Sequence, residues 1–248
     1  MSQAMRVLVF ASQKGGVGKT TLAGHIGVQA ELSGAGPVAL VDTDPQGSLA
    51  KWWNCRREET PAFLHTVFTN LVHDLDEARA QGFRLVVIDT PPAVTKAISE
   101  VIAFADLVVL PTRPSPHDLR AVGPTIDICE ARRKPMVFVL NAAMARARIT
   151  MEAAVALSQH GTVAPTTIHN RTDFAASMID GRTVMEADPE GKSAEEIAAL
   201  WDYLQIRLVR REVAPEMLAD GLPPSAIARN INTLGRPAPA FGRRAAQV

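Results

Sequence analysis

The feature that most constrains the fold of this chain is a glycine-rich loop between an apolar run and a helical segment. The apolar run covers residues 7–12, and the helical segment covers residues 19–33. Between them the sequence reads SQKGGVGKTT, over residues 12–21. A strand that leads through such a loop into a helix is typical of a sheet built from parallel βα units.

The rest of the chain repeats this alternation of short apolar runs and helical patterns. Further runs that predict buried strands cover residues 38–42, 85–89, 107–111, 136–141 and 162–168. Segments with helical spacing of apolar residues cover 67–81, 95–104, 117–131, 150–160, 172–180 and 193–211. Near-continuous apolar runs are typical of strands that are covered on both faces. We therefore predict an α/β fold with a doubly wound, mostly parallel sheet and helices on both faces.

Composition predicts one domain followed by a tail. Residues 1–211 form the predicted domain, whereas residues 212–248 are rich in Pro, Gly and Ala and predict a tail, partly disordered or with a short helix.

The 248 residues carry a formal net charge of zero, so any basic surface for nucleic acid must be local. No apolar run reaches the roughly 18 to 20 residues that span a bilayer, so we expect a cytoplasmic protein.

The loop contains the residue types that bind phosphate. Gly15, Gly16 and Gly18 allow the backbone to curl so that its N–H groups point inward at phosphate oxygens. The side chain of Lys19 can reach the β- and γ-phosphates, and the hydroxyl of Thr20 can hold Mg²⁺. We therefore predict a P-loop NTPase domain that binds ATP and Mg²⁺, with nucleotide contacts from Lys14, Gly15, Gly16, Val17, Gly18, Lys19, Thr20 and Thr21.

The loop departs from the general phosphate-binding pattern at its start. The pattern places a glycine where this chain has Gln13, and a second lysine, Lys14, follows. KGGVGKT with this extra lysine resembles the deviant Walker A box of the ParA/MinD family of ATPases. The resemblance implies that Lys14 reaches across a dimer interface to the partner's nucleotide, where it would neutralise developing phosphate charge. It thus implies a homodimer that forms when ATP is bound.

Carboxylates follow the second and third predicted strands. In VALVDTDPQG, strand alternation puts Asp42 and Asp44 on one side of the chain, although the segment alone could equally be a solvated turn. It resembles the family's D-x-D-P-Q-G box, which implies that Asp44 positions or activates the attacking water and that Asp42 lies near the metal. Asp89 ends LVVIDTPP and is typical of a carboxylate that holds a Mg²⁺-bound water. The predicted catalytic residues are Lys14, Lys19 and Asp44, and the predicted metal-site residues are Thr20, Asp42 and Asp89.

Two proline-bearing loops follow predicted strands. Thr90, Pro91 and Pro92 would form a stiff loop close to the γ-phosphate, which makes them a candidate switch. LPTRPSPHDL, residues 110–119, resembles a loop of small ParA proteins that lies next to the base.

Asn141 ends the fifth of these apolar runs, MVFVLN. Its side-chain amide can donate to and accept from an adenine edge, and the family has a comparable asparagine. A turn or helix cap is the alternative role. Arg171 could lie near the base or at the dimer interface.

The branch of the family is predicted from what the chain contains outside the nucleotide motifs. Iron–sulfur branches need cluster cysteines, and Cys55 and Cys129 are poorly placed for that role. The resemblance to short ParA proteins implies that the ATP-bound dimer binds DNA without sequence preference, and that a ParB-like or cargo-adaptor protein stimulates hydrolysis. Candidate DNA-binding residues are Arg207, Arg210 and Arg211, and a second cluster is Arg132, Arg133 and Lys134. Each cluster is equally explained as a solvated helix end.

The alternative function is a MinD-like regulatory ATPase that docks on a membrane or a protein without binding DNA. MinD-like proteins end in a short basic amphipathic helix, whereas residues 230–248 contain two prolines and have weak periodicity. We therefore expect no membrane docking and an ATP-bound form associated with the nucleoid. A nucleotide-binding scaffold that barely hydrolyses ATP is a third possibility.

Overall fold

The apolar runs form one parallel sheet. The computed structural model of the protein describes residues 4–92 and 96–209. Within these ranges the strands are β1 (Arg6–Phe10), β2 (Val38–Asp42), β3 (Ala62–Phe63), β4 (Leu85–Asp89), β5 (Leu107–Thr112), β6 (Met136–Leu140) and β7 (Thr162–Val163). Their order in the sheet is β3-β2-β4-β1-β5-β6-β7, and every pair is parallel.

Helices connect the strands and cover both faces of the sheet. They are α1 (Lys19–Leu32), α2 (Ser48–Trp53), α3 (Leu71–Ala80), α4 (Lys96–Phe104), α5 (Pro116–Ala121), α6 (Gly123–Ala131), α7 (Arg148–Ser158), α8 (Thr172–Met178), α9 (Val184–Ala187) and α10 (Lys192–Val209). A 3₁₀ turn, Phe68–Asn70, precedes α3. The predicted doubly wound sheet with helices on both faces is confirmed. No helix within the described residues is long and apolar enough to span a bilayer.

Strand alternation produces two separate apolar layers. Leu8 and Phe10 of β1 face one layer, with side chains from α1, α2, α9 and α10. Val7 and Val9 of the same strand face the other layer, with side chains from α3, α4, α6 and α7. Because both faces of the sheet are buried, its strands lack the polar alternation of a half-exposed sheet.

Three short elements and one helix break were not predicted. β3, α2 and α9 contain two, six and four residues, too few for apolar periodicity to appear. The helix predicted over residues 117–131 is two helices, since proline occupies the first turn of α6 and cannot continue a helix from α5. β7 ends at Val163, before the predicted residue 168, because Pro165 has no N–H for a strand partner.

The described residues belong to the first of two units of the chain, Met1–Glu212 and Val213–Val248. The predicted tail, residues 212–248, lies outside the described residues. The boundary at residue 211 therefore stays a prediction.

The strand order fixes where a ligand can bind. β1 lies between β4 and β5, which follow it in the chain. The helices that leave neighbouring strands on opposite sides of such a point open a crevice at the carboxyl ends of the strands. Phe10 pairs with Asp89, and Asp42 pairs with Asp89, so the loops after β1, β2 and β4 meet at this crevice.

His25 links α1 to the start of α9 inside the core. Its Nδ1 lies 2.7 Å from the Thr21 carbonyl, and its Nε2 accepts from the Val184 N–H at 3.2 Å. The ring of Phe174 packs edge-on against it, with the ring centroids 5.3 Å apart. The imidazole is therefore neutral, with its proton on Nδ1. Burial lowers the pKa of His25 to about 4.

The lowered pKa of His25 predicts a loss of stability in mild acid. The unfolded chain binds a proton near pH 6.5, whereas the folded chain excludes it until about pH 4, so stability is full above pH 6.5 and falls as the pH drops towards 4. Because only the unfolded chain protonates this histidine in that range, lowering the pH from 7 to 5 should reduce the free energy of unfolding by about 2 kcal/mol. Urea unfolding followed by tryptophan fluorescence measures it.

The matched variants are His25→Gln, which does not titrate in this range, and His117→Gln, which changes an exposed histidine. His25→Gln should be less stable at pH 7 and lose less on acidification, whereas His117→Gln should follow the wild type. If His25→Gln and the wild type lose the same unfolding free energy on acidification, His25 is not the source of the acid sensitivity.

Candidate functional site

The glycine-rich loop joins the carboxyl end of β1 to the first turn of α1. Gly16 and Gly18 have left-handed φ angles of 72° and 93°, which glycine adopts without steric cost. Gly18 is the N-cap residue of α1. The unpaired N–H groups of the first helical turn therefore lie next to the loop. The loop therefore has the backbone of an anion-binding cradle.

Lys19 is the first residue of α1, and its side chain is buried within the loop. Its Nζ donates to the Lys14 carbonyl at 3.4 Å. Burial lowers the pKa of Lys19, while the charges of Asp89 and Asp44 act in the opposite direction. A buried ammonium needs an anion to offset its desolvation, and phosphate oxygens held by the loop would supply one.

Asp89 ends β4 beneath the loop and is 1% exposed. Its Oδ2 accepts from the Thr20 hydroxyl at 2.5 Å, whereas its buried Oδ1 has no hydrogen-bond partner among the described residues. Burial raises the pKa of Asp89 to about 7. A carboxylate with one unmatched oxygen beside a threonine hydroxyl fits a hydrated Mg²⁺, which would restore its charge and complete its hydrogen bonding.

Asp42 and Asp44 have different surroundings. The Oδ1 of Asp42 accepts from the Asp44 N–H at 2.9 Å, and its Oδ2 accepts from the N–H groups of Leu49 and Ala50 at 2.9 and 3.1 Å. Asp42 therefore fixes the turn and the start of α2, and its role near a metal stays a prediction. Asp44 accepts from the Gln46 N–H at 2.9 Å and lines the cleft, where a carboxylate can meet a water molecule.

Asn141 follows β6 and reaches the loop from the side. Its Nδ2 donates to the Val17 carbonyl at 2.6 Å, and it lies against Gly18 so closely that a Cβ on Gly18 would collide with it. Asn141 therefore supports the loop, a role not predicted from the sequence. It also lines the cleft, and its contact with adenine stays a prediction.

The loop forms one wall of a cleft of about 630 Å³, and a segment from residue 168 to residue 178 forms the opposite wall. Of the predicted site residues, the cleft is lined by Gly15, Gly16, Gly18, Lys19, Thr20, Thr21, Asp44 and Asn141. Asp42 and Asp89 are not among the lining residues, Val17 is buried, and Lys14 is exposed at the loop. Lining residues that the sequence did not indicate include Ser48, His169, Phe174 and Met178, whereas Arg113 belongs to the proline-bearing loop predicted near the base.

The opposite wall is held by one carboxylate of α10. Arg171 donates through both guanidinium nitrogens to Glu196, at 2.7 and 2.8 Å. Glu196 also lies 2.7 Å from His169 Nδ1 and accepts from the His169 N–H at 3.0 Å. Burial acts to raise the pKa of Glu196, but these hydrogen bonds bring it below its usual value. Arg171 thus lies at the cleft, and only the structure reveals its partner.

The predicted DNA-binding arginines are only partly described. Arg207 is exposed on α10, and its guanidinium carbon lies 4.7 Å from the centroid of the Tyr203 ring. Arg210 and Arg211 lie outside the described residues. In the second cluster, the Nε of Arg132 donates to the Ser99 hydroxyl at 2.9 Å.

The fold and the loop define a nucleotide-binding P-loop protein. Residues 8–184 match the family model described as the CobQ/CobB/MinD/ParA nucleotide binding domain. The chain therefore belongs to the ParA/MinD family of ATPases, as the loop sequence predicted.

Relatives include proteins that distribute or partition cargo. Maintenance of carboxysome distribution protein A of Halothiobacillus neapolitanus is 31% identical over 218 residues, which cover 84% of this chain and 96% of that protein. The chromosome-partitioning ATPase Soj of Thermus thermophilus is 31% identical over 159 residues, which cover 52% of this chain and 63% of Soj.

Solved structures show the same fold at low identity. An ATP complex of a Cyanothece McdA variant superposes with a TM-score of 0.68 at 17% identity, covering 83% of this chain and 97% of McdA. MinD of Pyrococcus horikoshii with Mg-ADP gives a TM-score of 0.66 at 16% identity, covering 81% of this chain and 96% of MinD.

The contact between Gly18 and Asn141 predicts that Gly18→Ala damages nucleotide binding beyond its effect on stability. The left-handed φ alone should cost about 1–2 kcal/mol of unfolding free energy, and the added methyl group would also displace Asn141. Affinity for ATP should fall by at least about tenfold, equivalent to 1.4 kcal/mol. Isothermal titration calorimetry with a non-hydrolysable ATP analogue measures the loss.

Gly82→Ala is the matched control, since Gly82 has a φ of 89° and a Cβ there would meet nothing within 4 Å. It should lose similar backbone stability and bind nucleotide normally. Normal affinity in Gly18→Ala would show that the close contact with Asn141 does not control the loop.

Proposed function

We propose that this chain is an ATPase that dimerises when it binds ATP, binds nonspecific DNA in that state, and partitions or positions DNA or protein cargo. A ParB-like or cargo-adaptor protein would stimulate its slow, Mg²⁺-dependent hydrolysis. The proposal goes beyond family membership in three respects, which are the dimer, the DNA and the cargo.

The observation that carries the proposal is the contrast between two lysines of one loop. Lys19 is buried and bridges the loop, so it serves the nucleotide of its own subunit. Lys14 is exposed, and among the described residues no carboxylate pairs with its ammonium group. Its carbonyl accepts from Lys19, so the backbone at Lys14 is tied to the loop while its side chain is exposed. An exposed cation beside the phosphate site would be able to reach the nucleotide of a second subunit.

The chain's residues can then carry out phosphoryl transfer to water. The Thr20 hydroxyl and the Asp89 carboxylate would hold Mg²⁺, which would supply positive charge beside the phosphates. Asp44 would orient the attacking water and accept its proton as the water oxygen bonds to the γ-phosphorus. The bond from the γ-phosphorus to the bridging oxygen would break, and ADP would leave with that oxygen. Lys19 and the partner's lysine would stabilise charge on the transferred group. Asp42 would hold the turn that carries Asp44.

The DNA-binding part of the proposal is supported by the surface of α10 and by the relatives. Arg207 is exposed, and a dimer would present two copies of it to phosphate groups. Soj is named as a chromosome-partitioning ATPase. The Halothiobacillus relative, matched over 96% of its length, is named for carboxysome distribution, which makes a protein cargo an explicit candidate beside DNA.

Substitution of Lys14 and substitution of Asp44 should have opposite effects on the dimer. Lys14→Ala should bind ATP but stay monomeric, because it lacks the charge that reaches the partner. Asp44→Ala should form the ATP dimer and retain it, because hydrolysis that would release it is lost. Light scattering after gel filtration, with ATP or ADP, measures both outcomes.

Lys192→Ala is a suitable control, because Lys192 is an exposed lysine at the start of α10 and does not line the cleft. It should dimerise with ATP and dissociate on hydrolysis like the wild type. A normal ATP dimer in Lys14→Ala would remove the cross-interface role of this lysine.

DNA binding should require the triphosphate state and weaken with salt. With a non-hydrolysable ATP analogue, the protein should bind arbitrary duplex DNA, and the logarithm of the affinity should fall linearly with the logarithm of salt concentration. Arg207→Gln should reduce the slope by about 2 in a dimer, one unit for each lost phosphate contact. Fluorescence anisotropy at several salt concentrations measures the slope.

Arg79→Gln changes an exposed arginine on α3, whose apolar side chains pack on the other face of the sheet from α10, and should keep the wild-type slope. An unchanged slope in Arg207→Gln would exclude Arg207 from the DNA surface. If an intact ATP dimer binds no DNA at any salt concentration, the DNA-binding function is wrong. The MinD-like alternative, docking on a membrane or a protein, would then take its place.

A further inference from the structure

Arg113 lies at the phosphate loop because of the strand order. β5 is parallel to β1, with Phe10 paired to Val109, and ends at Thr112. The next residue, Arg113, therefore emerges beside the loop that follows β1. Its Nη2 donates to the Gly16 carbonyl. The sequence resemblance placed this proline-bearing loop next to the base, whereas the structure places its arginine against the phosphate loop.

The part of the loop that Arg113 contacts also faces the segment that follows Asp89. A Cβ on Gly15 would lie 3.9 Å from the Cβ of Pro92, and a Cβ on Gly16 would lie 3.8 Å from Nη2 of Arg113. Arg113, Pro92 and Asp44 all line the cleft. If Asp44 positions the attacking water, the terminal phosphate lies in the cleft whose lining Asp44 and Arg113 share.

Arg113 also has donors available for a ligand. A guanidinium group carries five N–H donors, and Arg113 is exposed and has no carboxylate partner among the described residues. The other arginine of the cleft, Arg171, is held by both oxygens of Glu196. Lys19 is buried within the loop. Of the two arginines among the described residues that line the cleft, Arg113 is therefore the one whose guanidinium group can turn towards an added anion.

We propose that Arg113 binds the terminal phosphate of ATP from within the same subunit and makes the cleft favour a nucleoside triphosphate over a diphosphate. The inference rests on the cleft being the ATP site. A planar guanidinium can donate two parallel hydrogen bonds to phosphate oxygens. With a diphosphate bound, this anion is missing and Arg113 stays on the Gly16 carbonyl.

The test compares the affinities for AMPPNP and ADP in full-length protein carrying Lys14→Ala, which removes the lysine expected to act across a dimer. Calorimetry is performed on this background alone and with Arg113→Gln, Arg113→Lys or Arg120→Gln. Arg120 is the control because it is an exposed arginine of the neighbouring α5 and does not line the cleft.

Loss of a charge-assisted hydrogen bond to phosphate should weaken AMPPNP binding by about tenfold or more in Arg113→Gln, with ADP affinity within about twofold of the background. Arg113→Lys keeps a point charge but not the planar pair of donors, so its AMPPNP loss should be smaller. Arg120→Gln should change neither affinity.

Equal losses for AMPPNP and ADP in Arg113→Gln would overturn the inference, because they would show that Arg113 only supports the loop through Gly16. Unchanged affinities would overturn it as well. If thermal unfolding shows that Arg113→Gln is not folded, Arg113→Lys decides by the same comparison of the two nucleotides. If the protein without any Arg113 substitution binds neither nucleotide, the ATP site itself, and with it the proposed function, is wrong.

Discussion

The hydrogen bond between the Thr20 hydroxyl and the buried carboxylate of Asp89 joins the parts of the site that come from distant points in the chain. At 2.5 Å it connects the first turn of α1 to the end of β4. Because β1 and β4 are adjacent and Phe10 pairs with Asp89, the carboxylate lies directly under the loop. A buried carboxylate with one unmatched oxygen is costly unless a cation or a proton approaches it. The same burial that raises its pKa therefore makes this carboxylate a position where a cation would fit.

The turn that carries Asp44 is held from behind by α2 and its contacts. Asp42 accepts from the first N–H groups of α2, and Trp52 of that helix packs on α1, where a Cβ on Gly24 would come within 2.9 Å of its ring. Trp52 also donates to the Arg182 carbonyl at 3.2 Å, and Arg56 pairs with Glu186 at 2.8 Å. Asp44 therefore follows a strand and precedes a helix that are both held by contacts with the core, so its position depends on the few residues of the turn between them.

The sequence predicts what depends on local pattern and misses what depends on tertiary contact. Apolar runs indicated the five strands of five or six residues and the short β7, and the glycine loop indicated the phosphate cradle, since both signals lie in consecutive residues. The sequence gives no local signal that the Asn141 amide would reach the Val17 carbonyl or that Glu196 would hold Arg171, because these partners are 124 and 25 residues apart. Arg113 was visible only as part of a proline-bearing loop, and the β1–β5 pairing determines which part of the site it meets.

Glu196 shows how the last long helix contributes to the site. From sequence, α10 is an amphipathic helix that packs on the sheet, and Ile197, Leu200 and Leu204 do form that contact. Glu196 on its polar face, however, holds His169 and Arg171 in the cleft wall. Arg207 lies 11 residues further along the same helix, about 16 Å at 1.5 Å per residue. Since an α-helix is stiff over this length, the helix that presents Arg207 to solvent also fixes the wall opposite the phosphate loop.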